Sequence, residues 1–517
     1  MKEYFLKNPF PRKVPDSGLK NLSKPSPTND RKANDFQFMH PLSAFDETIK
    51  IDKIVEKEKM LALCRRLKYK RVWAKFNKEV QIMKMAKASM VLVVMACVLA
   101  LPLTGRAKTE VIWWHAMTGF LGERVNDITN KFNSSQNEYE VKAVHKGGYP
   151  ETLTAGIASY RSKTPPHIIQ VFEVGTQTML SSGAIYPVYQ LMKDQGIKID
   201  WDDFLPVVKS YYSKGGNLYS MPFNSSTPIL YYNKTAFEKA GLNPMAPPKT
   251  FDEIEKAAKA VVSKGAAKIG FTVSWPSWTL MENMHSWNDQ PFSNNNNGFS
   301  ALATELKING KLGIQILELL TRWQKEGIFT YSGRGSRGDQ PTINGEAAIG
   351  LASTALVGVM TRTSKFDWGT GNLPKLADYP QGNSIIGGAT LWVFKGHKKE
   401  QYKGVAKFLE FLGATEQQAW WHANTGYFPL TRASVKALPE DHFRKNPNLW
   451  TAFAQITSGK TTANSQGIRL GNYVSIRDTI EAEMENVFSA KKTPKQGLDD
   501  AVKKGNQTLK EFASLYK

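Results

Sequence analysis

The sequence from Met221 to Lys234 reads Met-Pro-Phe-Asn-Ser-Ser-Thr-Pro-Ile-Leu-Tyr-Tyr-Asn-Lys, with four amide and hydroxyl side chains between two prolines. Proline lacks a backbone N–H and restricts the residue before it to extended conformations, so the polar part of this segment is expected to be extended. The apolar and aromatic run at residues 229–232 predicts a strand. We expect a chain crossing between two lobes that also lines a binding cleft, and the alternative is an ordinary polar turn before a strand.

Length and charge limit the classes of protein that fit. The 517 residues, 41% of them hydrophobic, exceed what one core usually organises, which predicts two lobes or domains. The formal charge is +22, but residues 1–107 hold 22 Lys and Arg against 10 Asp and Glu, and residues 108–517 hold 46 against 36. This moderate excess favours anionic small molecules. Because no basic run alternates with aromatic residues, we expect no nucleic-acid partner.

Residues 83–107 have the form of a secretory signal peptide. Two lysines precede an apolar run over residues 88–103, and small residues stand at Gly105 and Ala107. The apolar run is shorter than the ~20 residues that a membrane span needs. We expect cleavage after Ala107 and export to the periplasm. A lipid anchor at Cys97 is a weaker alternative, because hydrophobic residues follow it.

Residues 1–82 are unexpected before a signal peptide, which should be N-terminal. We expect them to be a mis-annotated or disordered extension, with translation beginning at Met83 or Met85; the alternative is a genuine cytoplasmic extension. Both cysteines, Cys64 and Cys97, precede the expected cleavage point. The mature chain would then contain no cysteine, which excludes disulfides, thiolate metal sites and cysteine nucleophiles.

Strand and helix patterns alternate after residue 107 and predict an α/β fold. Residues 111–114 have a strand pattern, and residues 121–132 have helical spacing. Residues 167–172 form an apolar run typical of a buried parallel strand, and Glu173 follows directly. Ligands of open α/β sheets bind at the carboxyl ends of the strands, so Glu173 is a candidate site residue. A solvated surface carboxylate is the alternative.

Three further features indicate a cleft. Trp275 and Trp278 stand in a Pro- and Ser-containing stretch that predicts a loop, where they could form an apolar wall for a ligand or pack into a core. A glycine pair before residues 389–393 suits a second crossing, and Thr425–Pro429 suits a third. Arg477 stands at the start of a predicted helix, where a cation is unfavourable unless an anion binds. It is therefore a candidate phosphate ligand, with a surface cation as the alternative.

Few features of the sequence indicate an enzyme. Residues 333–338 match the glycine spacing of dinucleotide-binding loops, but Asp339-Gln-Pro341 follows instead of an apolar helix, so we expect a loop. The sequence contains no P-loop and no HExxH motif, and its SxxK match at residues 514–517 lies on the last four residues. We expect no catalysis, no cofactor and no metal site.

Short motifs spread along the chain form a recognisable pattern. They are Lys146-Gly-Gly-Tyr149, Val171-Phe-Glu-Val-Gly175, Pro222-Phe-Asn-Ser-Ser-Thr-Pro228, Trp287-Asn288, Asn296-Asn-Gly-Phe299, Ile385-Ile-Gly-Gly-Ala-Thr-Leu-Trp392, Thr425-Gly-Tyr-Phe-Pro429, Leu470-Gly-Asn472 and Ile476-Arg477. With these motifs the chain from Val111 onward resembles the family 1 extracellular solute-binding proteins of ABC importers, and within them the members that bind sn-glycerol 3-phosphate. The resemblance implies an α/β, two-lobe periplasmic binding protein (Venus flytrap) fold with three hinge crossings. Lobe 1 would comprise residues 108–225 and 388–430, and lobe 2 residues 226–387 and 431–517.

Carried over residue by residue, the resemblance implies nine ligand-binding positions. They are Tyr149, Glu173, Ser226, Ser353, Gly388, Tyr427 and Arg477, with Trp275 and Trp278 beside them. Arg477 would donate two hydrogen bonds to a phosphate, the two serine hydroxyls and the Gly388 N–H would donate to its other oxygens, and Glu173 would accept from glycerol hydroxyls. The ligand would be sn-glycerol 3-phosphate or a glycerophosphodiester, delivered by a monomer to membrane permease subunits. An oligosaccharide is the alternative, since the tryptophans and Glu173 also suit sugars.

Overall fold

The structure of the protein is a computed structural model. It describes residues 56–57, 60, 78, 80–87, 89–90 and 107–516. Both cysteines and most of the expected signal peptide lie outside these ranges. Within the described ranges, no helix combines the length and the apolar character needed to span a membrane. All elements named below belong to the unit that begins at Ala107.

The strands of this unit alternate with helices in the order typical of α/β proteins. The strands are β1 Thr109–His115, β2 Tyr139–His145, β3 Ile168–Phe172, β4 Ile185–Tyr186, β5 Ser213–Lys214, β6 Asn217–Leu218, β7 Met221–Ser226, β8 Pro228–Asn233, β9 Ile269–Val273, β10 Ala347–Ser353, β11 Trp368–Gly371 and β12 Gly387–Phe394. The helices are α1 Gly119–Ser135, α2 Tyr149–Arg161, α3 Thr176–Ser181, α4 Val188–Asp194, α5 Pro206–Tyr212, α6 Lys234–Lys239, α7 Phe251–Ser263, α8 Asn283–Trp287, α9 Lys311–Lys325, α10 Asp339–Ile343, α11 Leu356–Thr363, α12 Lys399–Gly413, α13 Thr415–Thr425, α14 Arg432–Lys436, α15 His442–Lys445, α16 Pro447–Ser458, α17 Tyr473–Phe488 and α18 Pro494–Leu515. Short turns of other helical types lie at Glu173–Gly175, Ser277–Glu282 and Gly335–Gly338, and Asn294–Gly298 is a turn with a left-handed centre.

The first sheet has the order β2-β1-β3-β12-β4, with β7 also paired to β12. β1 is parallel to β2 and β3, while β12 is antiparallel to β3, β4 and β7. The Ile-Ile-Gln-Val-Phe sequence of β3 is buried along its whole length, because the strand lies between two neighbours and under helices on its faces. This confirms the buried strand predicted at residues 167–172 and puts Glu173 at its carboxyl end.

The second sheet has the order β11-β8-β10-β9. β8 is antiparallel to β10 and β11, and β10 is parallel to β9. Phe271 of β9 packs edge-on against Trp323 of α9, with ring centroids 5.8 Å apart. Thr250 caps helix α7, because its hydroxyl accepts a hydrogen bond from the Glu253 N–H at 3.1 Å.

The segment quoted first joins the two sheets almost without a break. β7 ends at Ser226 and β8 begins at Pro228, so only Thr227 lies between a strand of the first sheet and a strand of the second. Thr227 is fully buried, and its hydroxyl donates to Ser384 Oγ at 2.8 Å. Gln455 Nε2 also stabilises this crossing, because it donates a hydrogen bond to the Pro228 carbonyl at 2.9 Å. The segment is thus an extended crossing and not a turn.

The second and third expected crossings lie beside the first. Gly388 near the start of β12 has φ +88°, and a Cβ there would lie 1.9 Å from the Asn224 carbonyl oxygen. A side chain at this position is therefore excluded both by the left-handed backbone and by the neighbouring strand. In the third crossing Gly426 ends α13 with φ +89°, and the Phe428 N–H then donates to the Ser225 carbonyl at 3.3 Å.

Two local predictions are wrong. Helix α17 begins at Tyr473 and not at Arg477, because Asn472 at φ +52° turns the chain into the helix one turn earlier. The stretch at residues 333–338, expected to be a loop, ends in a short helical turn that leads directly into α10. Arg477 accordingly lies within the second turn of its helix.

Candidate ligand-binding site

A cavity of about 310 Å³ lies between the two halves of the molecule, at the carboxyl ends of strands of both sheets. All nine residues expected at a site line this one cavity. They are Tyr149, Glu173, Ser226, Trp275, Trp278, Ser353, Gly388, Tyr427 and Arg477. Residues that were not singled out complete the wall. They are Ala116, Met117, Thr118, Leu121, Gly148, Phe172, Ser336, Asp339, Ala355, Leu356 and Val359.

Arg477 reaches the cavity from within a cluster of buried ion pairs. Its Nε and Nη2 donate to the two oxygens of Glu282 at 2.8 and 2.6 Å, and Nη2 also donates to Glu173 Oε1 at 2.8 Å. Burial alone would lower the pKa of Arg477, but Glu282 and Glu173 outweigh it and hold the arginine charged. The two guanidinium nitrogens Nε and Nη2 therefore donate to Glu282 and not to a ligand phosphate. No sequence pattern distinguishes Glu282 as a site residue.

Glu173 is the carboxylate of the cavity nearest to this arginine. Burial raises its pKa above the ordinary value, and the Arg477 guanidinium opposes that shift. Since one of its oxygens accepts from Arg477, its other oxygen is the one that can accept from a ligand hydroxyl. Glu173 thus combines two tasks, anchoring the arginine and presenting an acceptor.

Two tyrosines and an asparagine form a hydrogen-bonded wall. Gln170 Nε2 donates to Asn224 Oδ1 at 2.8 Å, and Asn224 Nδ2 donates to the Tyr149 hydroxyl at 2.9 Å. Tyr149 also stacks on Phe172 with ring centroids 5.3 Å apart. Burial raises the pKa of Tyr149 well above its usual value and that of Tyr427 to about 12, so both phenols stay neutral at pH 7. These fixed, neutral hydroxyls can both donate and accept.

Ser226 and Ser353 stand at the first crossing. Ser226 ends β7 opposite Gly387, and Ser353 ends β10 opposite Pro228. The Ser353 oxygen accepts from the Ala355 N–H at 3.2 Å, which leaves its own proton available for an acceptor. The two hydroxyls therefore lie on either side of Thr227, one from each sheet.

The two tryptophans differ in their backbone conformation. Trp275 has φ +53°, a left-handed conformation rare for a large side chain, and its N–H donates to the Gly335 carbonyl at 2.6 Å. Trp278 lies in the π-helical turn Ser277–Glu282 and not in the expected loop. Trp278 is 4% exposed and packs against Gly387, where a Cβ would lie 2.4 Å from its ring. Among the described residues, its indole N–H has no hydrogen-bond partner.

Asp339 is a cavity carboxyl that the sequence analysis named only for breaking a motif. It begins α10, and the Ser274 hydroxyl donates to its Oδ1 at 2.5 Å. Burial raises the pKa of Asp339 to about 6. The signal that could have found it is its place directly after a glycine-rich stretch, where the backbone can approach a ligand closely.

The described residues contain no group of three or more His, Cys, Asp and Glu side chains that could hold a metal ion. The cavity offers hydrogen-bond donors and acceptors, one buried arginine and an aromatic wall. This set of groups suits reversible binding of a small polar ligand.

The sequence matches a known protein family and several known proteins. Residues 127–451 match the family described as bacterial extracellular solute-binding protein. The sn-glycerol-3-phosphate-binding periplasmic protein UgpB of Escherichia coli (strain K12) is 43% identical over 425 residues, which cover 81% of this chain and 97% of that protein. Its counterpart from Salmonella paratyphi A is 42% identical over 427 residues, with the same shares covered.

Solved structures agree on the fold. UgpB from Mycobacterium tuberculosis in complex with glycerophosphocholine superposes with a TM-score of 0.66 at 20% identity, covering 78% of this chain and 99% of that chain. The expected two-lobe periplasmic-binding-protein fold is thereby confirmed. The relatives are solute-binding proteins and not enzymes. With a family match over more than half of its length and relatives above 40% identity along most of it, the chain belongs to the bacterial extracellular solute-binding proteins.

Proposed function

We propose that this protein captures sn-glycerol 3-phosphate in the cavity between its two halves, as the extracytoplasmic binding component of an ABC importer. One observation carries the proposal: the nine residues that a glycerol-phosphate site would need come from distant parts of the sequence and line a single cavity. Relatives above 40% identity that are named for binding sn-glycerol 3-phosphate support the same ligand.

The phosphate would be bound near the first crossing. Arg477 Nη1, which has no hydrogen-bond partner among the described residues, would donate to it together with the Ser226 and Ser353 hydroxyls and the Gly388 backbone. Hydrogen bonds to a charged group are worth about 1.5–3 kcal/mol each, and micromolar affinity corresponds to about 8 kcal/mol after the costs of association. A handful of such bonds is therefore sufficient.

The glycerol would be bound by the neutral tyrosine wall and by Glu173. Its hydroxyls can donate to the free oxygen of Glu173 and exchange hydrogen bonds with Tyr149 and Tyr427. A carboxylate at this place also repels a second phosphate, which would restrict the ligand to one phosphate group. The site would thus bind the glycerol end and the phosphate end of the ligand with separate groups of residues.

Glycerophosphodiesters are proposed as second ligands. Trp275 and Trp278 line the same cavity and offer aromatic faces to a head group. The complex of the M. tuberculosis relative with glycerophosphocholine supports this extension. The oligosaccharide alternative rests on the same tryptophans, which also suit sugars.

The place of action and the partners belong to the same proposal. The periplasmic relatives support a periplasmic protein exported by the signal peptide at residues 83–107. A monomer would deliver its ligand to the membrane permease subunits of the importer, without cofactor, metal or catalysis. Closure of the two halves on the ligand would generate the surface that the permease recognises.

A ligand panel in isothermal titration calorimetry tests the proposal. The panel contains sn-glycerol 3-phosphate, glycerophosphocholine, inorganic phosphate, glycerol and maltose. We expect binding of the two glycerol-phosphate compounds and no heat from glycerol or maltose. Binding of maltose without binding of either phosphate ester would overturn the proposed ligand in favour of an oligosaccharide.

A further inference from the structure

We propose that the capture of an anionic ligand in the cavity is coupled to the uptake of a proton, and that Glu481 on α17 takes up this proton. The inference rests on the proposed function, because it assumes that a phosphate group binds beside Arg477. It assigns a role in binding to a residue behind the cavity wall, which does not itself line the cavity. The consequence is that the protein binds its ligand more tightly as the pH falls.

The charges around Arg477 are the first argument. In the described part of the chain, the side chains of Glu173, Glu282 and Glu481 surround this arginine, and these residues are only 4%, 0% and 6% exposed. Three buried carboxyl groups therefore share one guanidinium. A phosphate would add a further negative charge where water screens little, and a proton is the smallest charge that can offset it.

The hydrogen bonds of the three carboxyl groups are the second argument. Arg477 donates to both oxygens of Glu282 and to Oε1 of Glu173. Glu481 Oε1 accepts one long hydrogen bond of 3.5 Å from the Ser277 N–H, and no ion pair within residues 107–516 includes Glu481. A proton on Glu173 or Glu282 would weaken a charge-assisted hydrogen bond. A proton on Glu481 would weaken only the long bond from a neutral donor, so Glu481 accepts it at the lowest cost.

Arg477 links Glu481 to the ligand. The two residues are four positions apart on α17, so their side chains lie on the same face of the helix. Burial raises the pKa of Glu481 above its ordinary value, and the positive charge of Arg477 opposes this shift. A phosphate bound to Arg477 would offset that positive charge. The carboxyl group of Glu481 would then hold its proton up to a higher pH.

The other charged and titratable groups near Glu481 are exposed or already paired. Asp478 lies on the same helix and is exposed. Arg334, on the segment before α10, donates to Glu485 from Nε and Nη2 at 3.0 and 2.6 Å, and the Tyr331 hydroxyl donates to the same carboxylate at 3.2 Å. None of these groups contacts the ligand cavity. Ligand binding would therefore change the charge that Glu481 experiences mainly through Arg477.

Asp339 is a second carboxyl group that could take up a proton. It lines the cavity, and burial raises its pKa to about 6. The hydrogen bond from the Ser274 hydroxyl opposes this shift, whereas Arg477 makes no contribution to it. A phosphate beside Arg477 would thus act more strongly on Glu481 than on Asp339.

Calorimetry in buffers with different enthalpies of ionisation measures how many protons are taken up for each ligand bound. The ligand is glycerophosphocholine, because a phosphodiester does not titrate near neutral pH, whereas a monoester has a pKa of about 6. The proteins are the wild type, Glu481→Gln and the comparison variant Asp339→Asn. Their melting temperatures without ligand are measured first to establish that each variant folds. Titrations at pH 6, 7 and 8 use buffers free of phosphate.

The wild type should take up about 0.5 proton per ligand at pH 6, and its affinity should fall about three- to tenfold between pH 6 and pH 8. Glu481→Gln should take up less than about 0.1 proton and keep a constant affinity over this range, while Asp339→Asn keeps the wild-type uptake. Ligand binding by the wild type without proton uptake would overturn the inference, and the proposed function would stand. Uptake that persists in a folded Glu481→Gln protein would overturn it as well.

Infrared difference spectra of the wild type keep the inference testable if Glu481→Gln does not fold. Addition of glycerophosphocholine or of sn-glycerol 3-phosphate should produce the carbonyl band of a protonated carboxyl group. The absence of this band would overturn the inference, because the proton would then reside on another kind of group, such as a histidine. Failure of the wild type to bind either ligand would overturn the proposed function and the inference together.

Discussion

Arg477 and Glu282 are joined by two hydrogen bonds, of 2.8 Å from Nε and 2.6 Å from Nη2, and the Glu282 side chain is fully buried. The arginine is therefore held in place from behind by a residue 195 positions away in the chain. Glu173 holds it from the other side. A ligand phosphate would meet a guanidinium whose orientation is already set, which reduces the entropy lost on binding.

Removal of this arginine should abolish ligand binding. Arg477→Ala deletes the cavity cation and leaves Glu173 and Glu282 without their counter-charge, so we also expect a loss of about 3–5 kcal/mol in the free energy of unfolding. Thermal unfolding with and without sn-glycerol 3-phosphate measures both effects. Arg334→Ala is the matched control, because Arg334 pairs with Glu485 outside the cavity and both side chains are 38% exposed. It should cost less than about 1 kcal/mol and keep the ligand-induced shift. A ligand-induced shift that survives Arg477→Ala would contradict the proposed role.

Neutralising Glu282 should strengthen the binding of an anion. Glu282→Gln keeps the shape of the side chain but removes one negative charge next to Arg477, so the affinity for sn-glycerol 3-phosphate should rise by roughly three- to tenfold. The variant should lose about 1–3 kcal/mol of folding stability, because one charge-assisted hydrogen bond is weakened. Calorimetry and urea unfolding measure the two quantities. A fall in affinity would mean that Glu282 matters more for the orientation of Arg477 than for its charge.

A methyl group at Gly388 should destabilise the second crossing. Gly388→Ala places a Cβ 1.9 Å from the Asn224 carbonyl oxygen on a backbone with φ +88°, and we expect a loss of about 2–4 kcal/mol in the free energy of unfolding. Gly396→Ala separates the effect of the left-handed backbone from the effect of the steric clash, because Gly396 has φ +99° but no atom within 4 Å of the added carbon. It should cost only about 1 kcal/mol. Equal losses in the two variants, measured by urea unfolding, would refute the close approach of the strands.

The raised pKa of Asp339 predicts a pH dependence of stability. The folded state holds the proton up to a pKa of about 6, above the ordinary value of 3.8, so between these values it binds more protons than the unfolded state. Stability should therefore fall as the pH rises from about 4 to about 6, by at most about 3 kcal/mol and by less where solvent screens this half-buried group.

Urea unfolding of the wild type and of Asp339→Asn at pH 4, 5, 6 and 7 isolates this contribution. The advantage of the variant over the wild type should grow with pH, because asparagine does not ionise. Parallel stability curves for the two proteins would show that Asp339 titrates alike in both states.

The features that the sequence predicted well are those carried by local patterns. The extended crossing follows from two prolines around a polar run, and β3 with Glu173 follows from an apolar run that ends in a carboxylate. In each case neighbouring residues determine the backbone, and the strand end determines where the next side chain lies. The family resemblance added the residues that no local pattern distinguishes.

The missed features depend on distant contacts or on irregular backbone. Glu282 reaches the site only because a π-helical turn brings it against α17, and its spacing from Arg477 in the sequence carries no signal. The start of α17 was misplaced because a single left-handed asparagine, Asn472, sets it. Asp339 follows a glycine-rich stretch whose spacing matches that of a nucleotide-binding loop, and this spacing does not predict a carboxyl group in a cavity.

The single residue between β7 and β8 has a mechanical consequence. Thr227 precedes a proline, so both of these positions have a narrow range of torsions. We expect the axis of any rotation of one sheet against the other to pass close to this place and to the two crossings beside it. Points near an axis of rotation travel least. Ser226, Ser353 and Gly388 lie within two residues of that axis or pair directly with residues that do. The phosphate end of a ligand would thus lie close to the axis and move little while the cleft opens and closes. The other end of the ligand would contact the residues that move most.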